Sequence, residues 1–234
     1  MKQSIIIADQ FCGPPGSGNG GYTCGCLASH VPGAAEVTLL VPPPLERPLT
    51  VVPEGENGVA LMDGDRKVAR AVPGVVDIAV PPLVSYEQAL AASGRHPWMD
   101  LHVFPECFVC GPARAEADGL RLFAGTVPGS NAVAAPWVPA ACFADPNGQV
   151  RDEIIWAALD CPGAWAATIN QPRAIVLGRF TVELLQPVRA GEKYIIQGWT
   201  VSREGRKTLV GTALYNANGQ LHAKAKAIWV DLKS

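Results

Sequence analysis

The sequence predicts an α+β fold in which antiparallel strands wrap around an apolar helix, with that arrangement occurring twice along the chain. Three observations carry this expectation. Phe180, Val182 and Leu184 alternate with Thr181 and Glu183 up to Gln186-Pro187, the pattern of a half-buried strand with a terminator. Asn218-Gly219, set between Tyr215 and Leu221, is a strong hairpin signal. Residues 153–167 form a mainly apolar helical stretch, with a kink or restart expected at Cys161-Pro162 because proline removes a backbone donor.

The elements follow in order. A Gly-rich entry at 16–21 leads into a helix over 22–29. Strands are expected at 36–41, ending in Pro42-Pro43-Pro44, and at 49–52 and 59–62, with Asp63-Gly64 turning the chain into a strand at 67–72. Residues 81–112 mix a short helical stretch at 86–92 with Pro, Cys and Gly. After the apolar helix come strands at 180–184, 194–201 and 207–215, with a turn around Gly205. The last strand places Leu221, Ala223, Ala225, Ala227 and Trp229 on one face and His222, Lys224 and Lys226 on the other. Its small-residue face requires something bulky against it, and the apolar helix fits. Gly21 and Gly163 mark equivalent helix positions in a duplication, as Gly64 and Gly219 mark equivalent turns. The expected division is an N-terminal half at 1–95, a connection at 96–112 and a C-terminal half at 113–234, a fused dimer whose two sheets join edge to edge.

Composition narrows the function. The 234 residues are 48% hydrophobic and 17% charged, which excludes a disordered or collagenous chain. A net charge of −2 without a basic run gives no footprint for nucleic acid. Apolar stretches such as 154–159 are far shorter than the roughly twenty residues of a membrane span, and no secretory leader is evident, so a cytoplasmic protein without membrane partners is expected. Seven cysteines, an odd number in a chain of this size, read as reduced thiols rather than a disulfide framework.

Several stretches resemble a known family. Gly20-Gly21 at the first helix start, Cys107-Phe108-Val109-Cys110-Gly111-Pro112, Trp137-Val138-Pro139, and the run from Ile154 through Asp160 to Gly163 are similar to the hotdog-fold acyl-CoA thioesterases. The nearest arrangement is the double hotdog of the thioesterase II type, in which one chain supplies both halves. The resemblance implies hydrolysis of an acyl-CoA thioester without a cofactor. In the phenylacetyl-CoA type the first motif is His-Gly-Gly, and here Asn19 replaces the His.

A helix N-terminus stabilises charge developing on a carbonyl oxygen, and glycines let the backbone approach closely. Asn19, Gly20 and Gly21 are therefore candidates to polarise the thioester, with Tyr22 and Gly163 as substrate-binding positions. A plain loop capped by Asn19 accounts for the same residues. Asp160 matches the catalytic Asp of the thioesterase II type and is the candidate to direct water, acting from the opposite half. It also reads as an N-cap for a resumed helix. The family's Thr and Gln fall at Leu177 and Ala227 instead, which favours the alternative of a non-catalytic acyl- or CoA-binding protein. Cys107-x-x-Cys110 has the spacing of half a zinc site or a redox pair, yet the other close pair, Cys24 and Cys26, is separated by one residue and His102 adds one ligand at best. A tight turn with packed thiols and no metal is expected, and Cys161 reads as a buried small hydrophobe. His222, Lys224 and Lys226 either meet the phosphates of coenzyme A or form a solvated face. A fused dimer leaves its outer surfaces for association into dimers or trimers.

Overall fold

In the computed structural model, which describes residues 3–96, 102–168 and 173–232, the alternating segments pair into one antiparallel sheet of eleven strands. In chain order the elements are β1 (Gln3–Ile6), α1 (Gly20–Ala28), β2 (Ala35–Leu39), β3 (Pro48–Glu54), β4 (Gly58–Asp63), β5 (Arg66–Pro73), α2 (Tyr86–Ser93), β6 (Gly125–Thr126) and β7 (Ala132–Trp137), followed by α3 (Asp152–Thr168), β8 (Ile175–Leu184), β9 (Tyr194–Glu204), β10 (Lys207–Asn216) and β11 (Leu221–Asp231). Across the sheet the strands run β1-β3-β4-β5-β2-β8-β11-β10-β9-β7-β6. The seam between the halves is the β2–β8 pair, with Val37 opposite Phe180 and Glu36 opposite Thr181. Edge-to-edge joining is thus observed, and the fold is a double hotdog.

Pleating explains how the sheet covers its helices. Ala223, Ala225 and Ala227 are buried on the face that holds α3, as the alternation of β11 requires. Small side chains there let the helix approach the sheet. Along β9, Tyr194 and Ile196 belong to this main core while Ile195, pointing the other way, packs with Ala89 and Ala92 of α2 on the outer face. Farther along that outer face, Ile78 and Val80 cover Trp199, Ala213 and Tyr215. No helix among the described residues is long and apolar enough to cross a membrane.

Three features differ from the expectation. α3 runs unbroken through Pro162. The helix is held there from outside, since Thr212 Oγ1 donates to the Leu159 carbonyl at 2.9 Å and Thr200 Oγ1 to that of Ala166 at 2.8 Å. The equivalent helix starts are Gly20 and Asp152, not Gly21 and Gly163. A short 3₁₀ turn (Asp9–Phe11 and Ala141–Phe143) and a matching bridge (Cys12 with Gly18, Ala144 with Val150) precede each helix and fix that equivalence. β1, β6 and β7 were not legible in the sequence. β1 is a short edge strand, and β7 reads Ala-Val-Ala-Ala-Pro-Trp, without alternation, because α2 covers its outer side.

Candidate functional site

The site begins with the contact between the two central helices. A Cβ on Gly21 would lie 2.5 Å from Asp160 Cβ and 2.9 Å from the Trp156 carbonyl oxygen, and one on Gly25 would lie 2.6 Å from Glu153 Cα. These two glycines, one helical turn apart on the same face, let α1 and α3 pack backbone to backbone. The approach brings the first turn of α1 onto the middle of α3, where Asp160 projects.

Asp160 is buried and its carboxylate is divided in function. Oδ2 accepts from the Gly21 amide at 2.9 Å and from Asn19 Nδ2 at 3.2 Å. Oδ1 is buried and has no hydrogen-bond partner among the described residues. Burial pushes the Asp160 carboxyl up to about 7; the Gly21 amide and Asn19 pull it down, and the neighbouring Cys107 adds to the rise. Asn19 itself caps α1, its Oδ1 accepting from the Tyr22 amide at 2.9 Å. Its Nδ2 also lies 3.9 Å from Cys107 Sγ.

Asp160 and Gly20 border a cavity of about 700 Å³, within the usual range for a small-molecule site. Its walls are mainly apolar, including Leu39, Val41, Trp165, Ile175 and Leu177. Leu177 packs against Gly20, where an added Cβ would meet it at 3.0 Å. The Gly13–Gly18 loop closes another side.

The structure brings Asn19, Gly20, Gly21 and Asp160 together but separates the other candidates. Asp160 does not cap a resumed helix; it sits mid-helix and reaches across to α1. No cleft separates Asp160 from the α1 amides, because Gly21 bonds the carboxylate directly. Tyr22 is not among the residues that line the cavity; its ring stacks on Phe11 at 3.9 Å and meets Phe108 edge-on. Gly163 is not among the residues that line the cavity; it faces Val210 and Trp229, of which Trp229 does line it. A bulge at the start of β11 breaks the expected alternation, so Leu221 packs on the outer face while His222 meets Tyr194 of the main core edge-on and bonds the Pro187 carbonyl at 2.8 Å. On the outer face Lys224 pairs with Glu183 at 3.1 Å and Lys226 with Asp77 at 2.6 Å. The segment after β5 lies against these lysines, with Lys224 Nζ also donating to the Val76 carbonyl at 3.1 Å.

Sequence reasoning singled out Cys107, Cys110 and His102 by spacing but not their place on the cavity wall beside Cys161. Cys107, Cys110 and Cys161 meet there, with His102 Nε2 at 3.2 Å from Cys110 Sγ. Cys161 is 54 residues from Cys107, and no spacing rule links them. Trp165, one turn beyond Cys161, was visible only as part of an apolar helix.

No protein-family model and no curated protein matches the chain. Solved structures do match over its whole length. A provisionally named thioesterase of Novosphingobium aromaticivorans is similar over 100% of this chain and 96% of its own, at 14% identity and a TM-score of 0.65. A provisionally named oleoyl thioesterase of Lactobacillus plantarum covers the same shares at 10% identity and a TM-score of 0.60. The tesB protein of Mycobacterium avium subspecies paratuberculosis covers 94% of this chain and 89% of its own, at 16% identity and a TM-score of 0.59. The chain therefore shares the fold of these structures, a double hotdog.

Proposed function

We propose that the chain hydrolyses acyl-CoA thioesters in the cavity beside Asp160. The carrying observation is the asymmetry of that carboxylate: two donors fix Oδ2, while Oδ1 is buried, unpartnered and belongs to a residue of the cavity wall. A carboxylate held this way is oriented to take a proton from water attacking a bound carbonyl. The Gly21 and Tyr22 amides are occupied by Asp160 and Asn19, so neither is available to the substrate. Gly20 borders the cavity, and its amide is the α1 donor left to polarise the thioester oxygen. In this reading water adds to the carbonyl carbon as its proton passes to Asp160, and the tetrahedral intermediate expels the thiolate, which takes that proton from Asp160 to leave as the free thiol. The apolar walls suit an acyl group, and the thioesterase names of the full-length structural neighbours agree with the reaction class.

One observation favours a second reading. Gly21 and Asn19 already serve the carboxylate, and Leu177 fills the space against Gly20, so the cavity suits an acyl ligand held without turnover. Release of free thiol from a panel of acyl-CoAs, run beside a direct binding titration, separates the two. Turnover sustained over many equivalents is expected; stoichiometric binding without thiol release identifies the binding protein instead.

A further inference from the structure

Three buried sulfurs converge on the cavity from two separate parts of the chain. Cys107 and Cys110 come from the loop before β6, and Cys161 comes from α3. Their Sγ atoms lie within 4.8 Å of one another, with Cys107 and Cys161 at 3.7 Å. Packing alone does not ask cysteines to meet sulfur to sulfur.

The loop is shaped around this cluster. The Gly111 amide donates to the Cys107 carbonyl at 2.8 Å, and a Cβ there would lie 2.4 Å from the Pro105 oxygen and 2.5 Å from that of Cys107, so glycine closes the turn. His102 Nδ1 accepts from the Phe104 amide at 3.0 Å, which leaves the ring proton on Nε2, 3.2 Å from Cys110 Sγ.

We propose that Cys107, Cys110 and Cys161 bind one zinc-class metal ion as thiolates, with the fourth coordination position open to the cavity and His102 donating to the Cys110 sulfur. A zinc–sulfur bond of about 2.3 Å sets tetrahedral sulfur separations of roughly 3.8 Å, and the Cys107–Cys161 distance already matches. Three soft sulfur ligands select zinc-class ions over magnesium or calcium. Three protein ligands, rather than four, are the composition of a site that keeps a position for an outside ligand. On binding, each thiol that is still protonated releases its proton to solvent. The inference stands on different residues from the proposed hydrolysis and is read out separately from it.

The full chain, purified under reductant and without a metal-affinity tag, is analysed for zinc and, after chelation, titrated with Co²⁺. One equivalent of metal per chain is expected, with thiolate-to-cobalt absorption saturating at 1:1. Cys161→Ser is expected to weaken Co²⁺ binding at least about 100-fold, and His102→Ala by roughly 10- to 100-fold at unchanged stoichiometry. Cys142→Ser, at an exposed position, leaves both unchanged. Should Cys161→Ser fail to fold, alkylation of the wild-type chain followed by mass spectrometry decides. Chelation then speeds modification of Cys107, Cys110 and Cys161, but not of the buried Cys24 or the exposed Cys142. Zinc far below one equivalent with no cobalt absorption, cobalt binding that survives Cys161→Ser, or alkylation indifferent to chelation would each overturn the site.

Discussion

Asp160 Oδ2 and the Gly21 amide are 2.9 Å apart, although 139 residues separate them and each belongs to the central helix of a different half. This bond exists because two glycines on α1 remove the side chains that would hold the helices apart. Both the stability of the helix pair and the position of the carboxylate depend on that contact.

Gly25→Ala separates helix propensity from packing. Alanine is about 1 kcal/mol better than glycine within a helix, so an exposed position gains stability. Here the new Cβ falls 2.6 Å from Glu153 Cα, a backbone atom that cannot swing aside. Overpacking of this kind costs about 1–3 kcal/mol and outweighs the propensity gain. A net loss of stability in urea unfolding is expected; a gain would show that α1 and α3 are not in backbone contact.

Asn19 has two roles that substitutions divide. Its Oδ1 caps α1 and its Nδ2 donates to Asp160. Asn19→Ala loses both, and the cap alone is worth about 1 kcal/mol. Serine is as good a cap but has no amide, so Asn19→Ser is expected to restore most of the stability while thioester turnover stays low. Full turnover in the serine variant would remove Asn19 from the site.

Lys224→Ala combined with Lys226→Ala tests the outer face of β11. Both lysines are engaged by acids, Glu183 and Asp77, on the side of the sheet opposite the core alanines. Partly exposed pairs of this type contribute at most about 1 kcal/mol each. The double variant is expected to leave KM for acyl-CoA within about a factor of two, since 1.4 kcal/mol would be needed for a tenfold change. A tenfold rise would return the coenzyme to this face.

Thr212→Val addresses the continuity of α3. Its hydroxyl is the side-chain donor to the Leu159 carbonyl, three residues before Pro162. Loss of that buried hydrogen bond is expected to cost about 1–2 kcal/mol in denaturant unfolding. An unchanged midpoint would mean that the helix passes Pro162 without help from β10.

These relationships explain how far the sequence could be read. β8, β10 and β11 were legible because each has one face toward a helix and the other away from it, which writes a period of two into the residues. β7 is covered on both sides and loses that signal. Pro162 pointed to a break because local rules hold for a helix standing alone, whereas hydroxyls from β9 and β10 brace this one. Asn19, Gly20, Gly21 and Asp160 were found through helix-terminus chemistry and family resemblance. Direct contact between Gly21 and Asp160 was hidden, because the role of Gly25 in closing the helix pair has no local signature. The lysines of β11 looked like a free basic face since nothing periodic marks the segment that covers them. Cys161 was invisible as a partner of Cys107 for the same reason: only the fold joins the loop to the helix.

The central claim is that Asp160 activates water through its unpartnered oxygen, and single-turnover hydrolysis of an acyl-CoA by Asp160→Asn tests it most directly. Asparagine keeps the size of the side chain and can keep its oxygen toward Gly21 and Asn19, so folding and acyl-CoA affinity are retained while the oxygen that takes the proton is replaced by an amide nitrogen. Loss of general-base catalysis lowers the chemical step by about 10²- to 10⁴-fold. A drop of that size at unchanged affinity is the expected result, and hydrolysis by Asp160→Asn at the wild-type rate would contradict the account.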